Sequence, residues 1–160
     1  DPRRTSPEGS VNASQCVCVL GQEEDGYGGC VCSVGRYENV TEEGDTSCVL
    51  CLPNATTFAT NATSASFCVC EEGFYGDYRG CSPCPAGTYN DLKNVSECPQ
   101  CPLGSTSLQA ATHGPDGCSC LLGFYRLGGV CTPCPLGTFK DDLLAQNCTL
   151  CPPHTTTNVT

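Results

Sequence analysis

The 160-residue sequence contains no methionine and no tryptophan, and aromatic residues make up only 7% of it. Basic residues are also few, since seven Lys and Arg stand against seventeen Asp and Glu, for a net charge of −10. No apolar run approaches the roughly 20 residues that a membrane-spanning helix needs. No stretch of a dozen residues places apolar side chains at helical spacing either. These absences argue against a helical fold, a membrane span and a nucleic-acid-binding surface, which would be basic.

The sequence is rich in cysteine, glycine and proline. It has eighteen Cys, eighteen Gly and twelve Pro. Cysteine above roughly 10% of a chain is typical of a disulfide scaffold, and such scaffolds belong to oxidising, extracellular compartments. Because methionine is absent and the first residue is Asp1, we expect a processed or partial chain of a longer protein.

Asparagine usage also indicates a secreted or cell-surface glycoprotein. All asparagines except Asn90 stand in N-x-S/T, the acceptor motif for N-linked glycans. The predicted glycosylation sites are Asn12, Asn39, Asn54, Asn61, Asn94, Asn147 and Asn158. Asn147 is the weakest of them, because its middle residue Cys148 can be locked in a disulfide. Covalent N-linked glycans are the only non-protein groups that we expect, and the sequence predicts no cofactor.

An internal repeat organises the cysteines. Those at 68, 70, 81, 84, 98 and 101 recur fifty residues later at 118, 120, 131, 134, 148 and 151. The Gly-Phe-Tyr of 73–75 recurs at 123–125, and the Gly-Thr-Tyr of 87–89 recurs as Gly-Thr-Phe. A degenerate copy begins at Cys16. We therefore expect a repeat architecture, in which each module contacts mainly its neighbours.

The repeat predicts the domain organisation and the fold class. We expect a tail or linker over 1–15, a degenerate repeat over 16–67, a second repeat over 68–117 and a truncated third over 118–160. The next C-x-C would fall beyond Thr160, so the parent chain is expected to continue. The predicted fold is small, disulfide-rich and mostly coil, with short β-hairpins between Gly and Pro residues and little or no helix, in an elongated tandem array.

Two disulfide schemes fit the spacing, and the sequence leaves both open. The first is a ladder that joins the two ends of each long interval: Cys18–Cys30, Cys32–Cys48, Cys51–Cys68, Cys70–Cys81, Cys84–Cys98, Cys101–Cys118, Cys120–Cys131 and Cys134–Cys148. In the ladder, Cys16 and Cys151 pair outside this segment. The second is a crossed, epidermal-growth-factor-like scheme, for example Cys84–Cys101 with Cys98–Cys118. Closing a loop of about 15 residues contributes roughly 3 kcal/mol in the chain-entropy model.

Two stretches resemble a known module. Cys118-x-Cys120-x-x-Gly-Phe-Tyr, and Cys131-Thr-Pro-Cys134-Pro-Leu-Gly-Thr-Phe with the later Cys148-x-x-Cys151-Pro, resemble the cysteine-rich module of ephrin receptors. Similar modules occur in epidermal-growth-factor-like and tumour-necrosis-factor-receptor-like proteins. The resemblance covers 68–160 well and 16–67 loosely. It implies stiff spacers and interaction surfaces, and it implies no activity, because no ephrin-binding or kinase domain is present.

Catalytic and metal-binding chemistry is weakly supported. The C-x-x-C pairs have plausible zinc spacing, but the fifty-residue register, the sequons and the presence of only two histidines favour oxidised cysteines. A thioredoxin-like redox role lacks its βαβ context. His113 and His154 lie in Thr-rich loops without a catalytic motif, and the acidic runs at 23–25 and 42–45 lack the ligand spacing of a calcium loop. We therefore predict no catalytic, cofactor-binding or metal-ligating residue and no enzyme.

The functional expectation is a structural, non-catalytic extracellular segment: a stiff, disulfide-laddered rod in a surface protein or in a fibre, such as a filament or hair. Its expected partners are neighbouring modules of the same chain, other copies of itself or other extracellular proteins, with no nucleic acid and no membrane contact. The alternative is a receptor ectodomain stalk or a protein-ligand-binding module.

Overall fold

The computed structural model describes residues 4–6, 8, 10–12 and 15–157. Within these residues the chain forms short β-strands of two to five residues, together with 3₁₀ turns at Ala65–Phe67 and Pro115–Gly117. No α-helix occurs in this part of the chain. The predicted fold class is therefore confirmed: the described residues are disulfide-rich and mostly coil, with two-stranded elements and no helix longer than a single turn.

Each strand pairs with its neighbour in the sequence, so the sheets are all two-stranded: β1 with β2, β3 with β4, and so on to β15 with β16. The strands are β1 (Arg4–Thr5), β2 (Val17–Cys18), β3 (Gln22–Glu24), β4 (Cys30–Cys32), β5 (Arg36–Val40), β6 (Thr46–Leu50), β7 (Ala55–Thr56), β8 (Val69–Cys70), β9 (Phe74–Asp77), β10 (Gly80–Pro83), β11 (Ser105–Thr106), β12 (Ser119–Cys120), β13 (Phe124–Leu127), β14 (Val130–Pro133), β15 (Thr138–Phe139) and β16 (Thr149–Leu150). Such short pairs are marginal in water without another constraint.

One kind of strand pair recurs three times in the same antiparallel register. Arg4 faces Cys18 in β1–β2, Ala55 faces Cys70 in β7–β8, and Ser105 faces Cys120 in β11–β12. We call these three the closing pairs, because each lies where a repeat meets the C-x-C motif that follows. In the first of them, Arg4–Thr5, within the segment 1–15, pairs with Val17–Cys18.

The buried core of the described chain combines cysteines with polar residues, namely Thr56, Thr57, Thr88, Asn90, Ser107 and Lys140. Most of the buried apolar residues of the described chain are cysteines, and Cys70, Cys84 and Cys118 are completely inaccessible. Only Ala62 and Val69 join them from outside the cysteines. The Phe124 ring and the Cys131 side chain both lie close to Gly104: a Cβ at Gly104 would lie 2.9 Å from Phe124 Cδ1 and 3.4 Å from Cys131 Cβ. Cross-linking thus replaces the large apolar core that the composition cannot supply.

The chain divides into two compact units. The first comprises Asp1–Glu71 and Gly76–Cys81, and the second comprises Glu72–Tyr75 and Ser82–Thr160. The closing pairs β1–β2 and β7–β8 belong to the first unit, and β11–β12 belongs to the second.

Candidate functional site

The described chain contains eight disulfides, and they are the eight pairs of the ladder scheme. They are Cys18–Cys30, Cys32–Cys48, Cys51–Cys68, Cys70–Cys81, Cys84–Cys98, Cys101–Cys118, Cys120–Cys131 and Cys134–Cys148. The crossed scheme is not present, since Cys84 bonds Cys98 and Cys101 bonds Cys118. The second and third repeats use the same separations, 11 and 14 residues, whereas the first uses 12 and 16.

Cys16 and Cys151 have free thiols, and both residues are half-buried. The Cys151 amide donates a 2.9 Å hydrogen bond to the carbonyl of Gly137. Cys51 and Cys101 make the same bond, to Gly35 and Gly87 respectively. Cys151 therefore occupies the same local geometry as two cysteines that are disulfide-bonded.

A side-chain hydroxyl, buried in the first two repeats and half-buried in the third, accepts the glycine amide of each Gly-x-aromatic turn, and the sequence reasoning missed it. Gly35 N donates to Thr57 Oγ1 at 3.0 Å, and Gly87 N donates to Ser107 Oγ at 2.8 Å. In the third repeat Gly137 N donates to Thr157 Oγ1 at 3.2 Å. The signal was available: a hydroxyl residue stands six positions after Cys51, Cys101 and Cys151 alike.

A buried polar side chain follows the aromatic residue in the second and third repeats. Asn90, only 1% exposed, donates through Nδ2 to Phe74 O at 2.7 Å. Its equivalent Lys140, 4% exposed, donates through Nζ to Cys120 O at 2.7 Å. Buried polar groups need such partners, and each of these two donates to a carbonyl of the preceding disulfide loop, 70–81 or 120–131.

The asparagines divide by exposure in the way that glycosylation requires. Asn90, which is not in a sequon, is buried, whereas the sequon asparagines in the described chain are exposed. They are Asn12, Asn39, Asn54, Asn61, Asn94 and Asn147. Asn158 lies outside the described residues. Asn54, Asn61 and Asn94 each adopt a left-handed backbone with φ of 62°, which asparagine tolerates better than most residues.

Asp25 and the acidic run at 42–45 lie at hairpin tips. Glu23 and Glu24 are in β3, and the Asp25 carboxylate accepts the amides of Tyr27 at 2.8 Å and Gly29 at 2.9 Å, both on Oδ1. These two bonds hold the pKa of Asp25 below its usual value, although its side chain is exposed. Among the described residues no cluster of three or more His, Cys, Asp or Glu side chains is arranged to hold a metal ion.

An open cavity lies in the second unit. It has a volume of about 640 Å³, is widely open, and is lined by the loop that Cys101–Cys118 closes, including Leu108, His113 and Asp116. The corresponding loop of the first repeat encloses about 190 Å³. Phe67 lines that smaller cavity, whereas Gly117 stands at the equivalent position of the larger one.

This arrangement defines a class of protein: tandem cysteine-rich repeat modules, held by a disulfide ladder. Residues 123–160 match the family model described as tyrosine-protein kinase ephrin type A/B receptor-like. The chain is also similar to the cysteine repeat modular protein B of Toxoplasma gondii, at 34% identity over 89 residues. That match covers 53% of this chain and 1% of the relative, so the chain spans a very small part of the relative's length. The predicted resemblance to cysteine-rich repeat modules is confirmed.

The matched relatives are cysteine-rich repeat and receptor-like modules, which are not enzyme families. Modules of this type, with many disulfides, suggest a secreted or surface location. In the described part of the chain, no helix combines the length and hydropathy that crossing a bilayer requires.

Proposed function

We propose that this chain is a non-catalytic structural segment of an extracellular glycoprotein, a disulfide-stiffened rod that contributes to a surface fibre such as a filament or hair. The observation that carries the proposal is the division of surface and core. Cysteines form most of the buried apolar core, while the described sequon asparagines are exposed and the non-sequon Asn90 is buried. A segment of this kind offers length, stiffness and glycan attachment.

N-glycosylation is the part of the proposal that is simplest to test. We expect the chain, secreted from a eukaryotic host, to lose mass on treatment with an amide-cleaving glycosidase. Asn61→Gln and Thr63→Ala should each remove one glycan, because either change destroys the same exposed sequon. Intact-mass spectrometry reads both effects, and the glycan should stay in a Ser64→Ala control, which leaves the sequon whole. An unchanged mass after glycosidase treatment would contradict the proposal.

The fibre role is tested on the native parent protein. Electron microscopy of the secreted or surface-bound material should show thin, extended assemblies that an antibody against this segment labels along their length. Labelling of isolated compact particles would count against a fibre subunit.

A binding module is the second candidate, and the open cavity of about 640 Å³ in the second unit favours it. Leu108 lines this cavity and is 44% exposed, which gives the loop an apolar contact. If the segment is a binding module, Leu108→Ser should abolish binding of an extracellular protein ligand. Leu103→Ser, at an exposed position outside the cavity, is the control and should leave that binding unchanged. A structural segment would show no ligand whose binding depends on Leu108.

A further inference from the structure

Two phenylalanines of the first repeat are exposed beside a sequon. Phe58 is 68% exposed and Phe67 is 56% exposed, whereas the other phenylalanines of the chain are half-buried. Both exposed rings lie in the loop that the Cys51–Cys68 disulfide closes, and both line its cavity of about 190 Å³. The sequon residue Asn61 lines the same cavity. An aromatic pair and a glycan acceptor therefore border one space.

Hydrogen bonds hold both rings at the surface. Thr57 is buried, and its Oγ1 donates to Ala59 O at 2.7 Å, which closes the turn around Phe58 from the buried side. Phe67 ends a 3₁₀ turn, and its amide donates to Ser64 O at 3.2 Å. The exposure of the two rings is thus a consequence of how the loop folds.

The sequon is anchored to the same repeat. Asn61 N donates to Cys32 O, and Ala62 O accepts a hydrogen bond from Glu38 N, both at 2.8 Å. Ala62 is buried, whereas Asn61 and Thr63 on either side of it are exposed. A glycan on Asn61 therefore starts from a fixed backbone position that borders the cavity.

The second repeat lacks the aromatic pair and the sequon together. Its residues at the positions of Phe58, Asn61 and Phe67 are Leu108, Ala111 and Gly117. Ala111 keeps the left-handed backbone of Asn61, with φ of 58° against 62°, and the Cys101–Cys118 disulfide still closes the loop. A loop of this kind thus closes without exposed rings, and the rings occur where the glycan acceptor occurs.

A sugar ring is a chemically suitable ligand for this aromatic pair. One face of an N-acetylglucosamine ring presents axial C–H groups, which are apolar and slightly positive, and the face of a phenyl ring is the negative part of its quadrupole. The sugar hydroxyls then stay at the edge of the contact, in water. The cavity of about 190 Å³ is on the scale of one sugar ring, below the roughly 300–1,000 Å³ of pockets for drug-sized ligands.

We propose that the first N-acetylglucosamine of the Asn61 glycan packs on Phe58 and Phe67 and fills the cavity between them. The glycan covers the exposed apolar surface of the loop and stabilises the folded first repeat. This inference rests on the proposed function, because it requires that Asn61 be glycosylated.

The sequon at Asn94 is the matched control. Asn94 is exposed and has the same φ of 62° as Asn61. Asp91 stands three residues before Asn94, where Phe58 stands three residues before Asn61. The glycan at Asn94 should therefore extend into solvent without a ring contact.

The first test measures stability of the full chain, secreted from a eukaryotic host that attaches oligomannose glycans. Thr63→Ala removes the Asn61 glycan without changing the left-handed residue itself. It should raise the equilibrium constant of unfolding about two- to tenfold, the range that a contact between two rings contributes. Ser96→Ala, which removes the Asn94 glycan, should leave the constant nearly unchanged. Denaturant unfolding with the disulfides intact measures both, and equal effects would overturn the proposal.

A double-mutant cycle assigns the effect to the ring. Phe58→Leu copies the second repeat, and it is made both in the glycosylated chain and in Thr63→Ala. It should raise the equilibrium constant of unfolding several-fold more in the glycosylated chain than in the chain without this glycan. Equal effects in the two backgrounds would overturn the contact.

NMR of the unsubstituted chain tests the contact directly. An endoglycosidase first trims each glycan to a single N-acetylglucosamine, which should retain the contact. The ring protons of Phe58 and Phe67 should then give nuclear Overhauser contacts with the sugar on Asn61, and its protons should be shifted upfield by the rings. A sugar with the shifts of the one on Asn94 and with no such contacts would overturn the proposal.

Failure of the proposed function gives a different result. Intact-mass spectrometry and peptide mapping that find Asn61 unoccupied would contradict its glycosylation, and the ring contact with it. An occupied Asn61 without ring contacts would overturn the sugar site alone and leave the glycoprotein assignment in place.

Discussion

At the scale of single residues, buried hydroxyl groups occupy the core, where other folds place large apolar side chains. Ser107, 2% exposed, accepts the Gly87 amide at 2.8 Å and donates to Thr88 O at 2.8 Å. Gly87 has a φ of 88°, a conformation that favours glycine, so the turn needs both the glycine and the hydroxyl.

Ser107→Ala should therefore lower the free energy of unfolding by about 1–3 kcal/mol, because it leaves Thr88 O buried without that donor. Ser107→Thr should be tolerated, since Thr57 and Thr157 stand at the equivalent positions. Denaturant unfolding with the disulfides intact measures the change. Ser105→Ala is the matched control, because the Ser105 hydroxyl bonds Pro102 O in an exposed position. Equal effects of the Ser105 and Ser107 changes would contradict this role.

Ala111 carries local backbone strain. Its φ is 58°, in the left-handed region, where the first repeat has Asn61 at φ 62°. Left-handed backbone costs an alanine roughly 1–2 kcal/mol, which exceeds the entropic cost of a glycine, about 0.4–1 kcal/mol.

Ala111→Gly should consequently stabilise the chain by up to about 1 kcal/mol, whereas Ala110→Gly next to it should destabilise by about 0.4–1 kcal/mol. Thermal unfolding of the two variants measures both signs. Two changes of the same sign would show that the backbone at 111 is not strained.

At the scale of the element, the hairpin of β3 and β4 is stabilised by a charge at its tip. The Asp25 carboxylate binds the amides of Tyr27 and Gly29, and the bonds lower its pKa. A carboxyl group with a lowered pKa stabilises the folded form above its unfolded pKa, and this contribution is lost as the pH falls through the folded value.

The tip should thus loosen only in acid, below the ordinary titration range of an aspartate. A carbon-detected NMR titration of Asp25 should give a pKa below 3.8, the ordinary value of an aspartate, and the Tyr27 and Gly29 amide shifts should follow the same curve. In Asp25→Asn those amide shifts should stay constant with pH, because the amide oxygen can accept the same bonds without titrating. Amides that move identically in both proteins would exclude Asp25 as the cause.

The closing pairs include one strand that the sequence did not predict. The cysteine register predicts the disulfide-rich class and includes the ladder among its schemes. It does not reveal that Arg4–Thr5 forms a strand, because no cysteine marks that segment. The weak signal was a Thr-Ser dipeptide at 5–6, in the place of Thr56-Thr57 and Thr106-Ser107.

At the scale of the whole chain, spacing alone could not choose between the ladder and the crossed scheme. Both close loops of similar length, so their entropic contributions differ little. The turns distinguish the two disulfide schemes. Cys101 N donates to Gly87 O, and Asn90 N donates to Thr112 O. These bonds fold residues 102–117 back, so that Cys101 lies beside Cys118 and forms a disulfide with it.

Disulfide mapping of the 160-residue monomer tests this connectivity. Non-reducing digestion should yield peptides linking Cys84 to Cys98 and Cys101 to Cys118, and thiol titration in denaturant should find two thiols, Cys16 and Cys151. A peptide linking Cys84 to Cys101 would show the crossed scheme instead.

The ladder has a mechanical consequence. Successive disulfide loops are separated by only one or two residues, such as Val31 between Cys30 and Cys32, or Val69 between Cys68 and Cys70. A pulling force along the backbone therefore passes from sulfur to sulfur and bypasses the residues inside each loop. Between Cys18 and Cys148, only these connections of one or two residues can lengthen under force. The chain should therefore be almost inextensible until a disulfide is reduced.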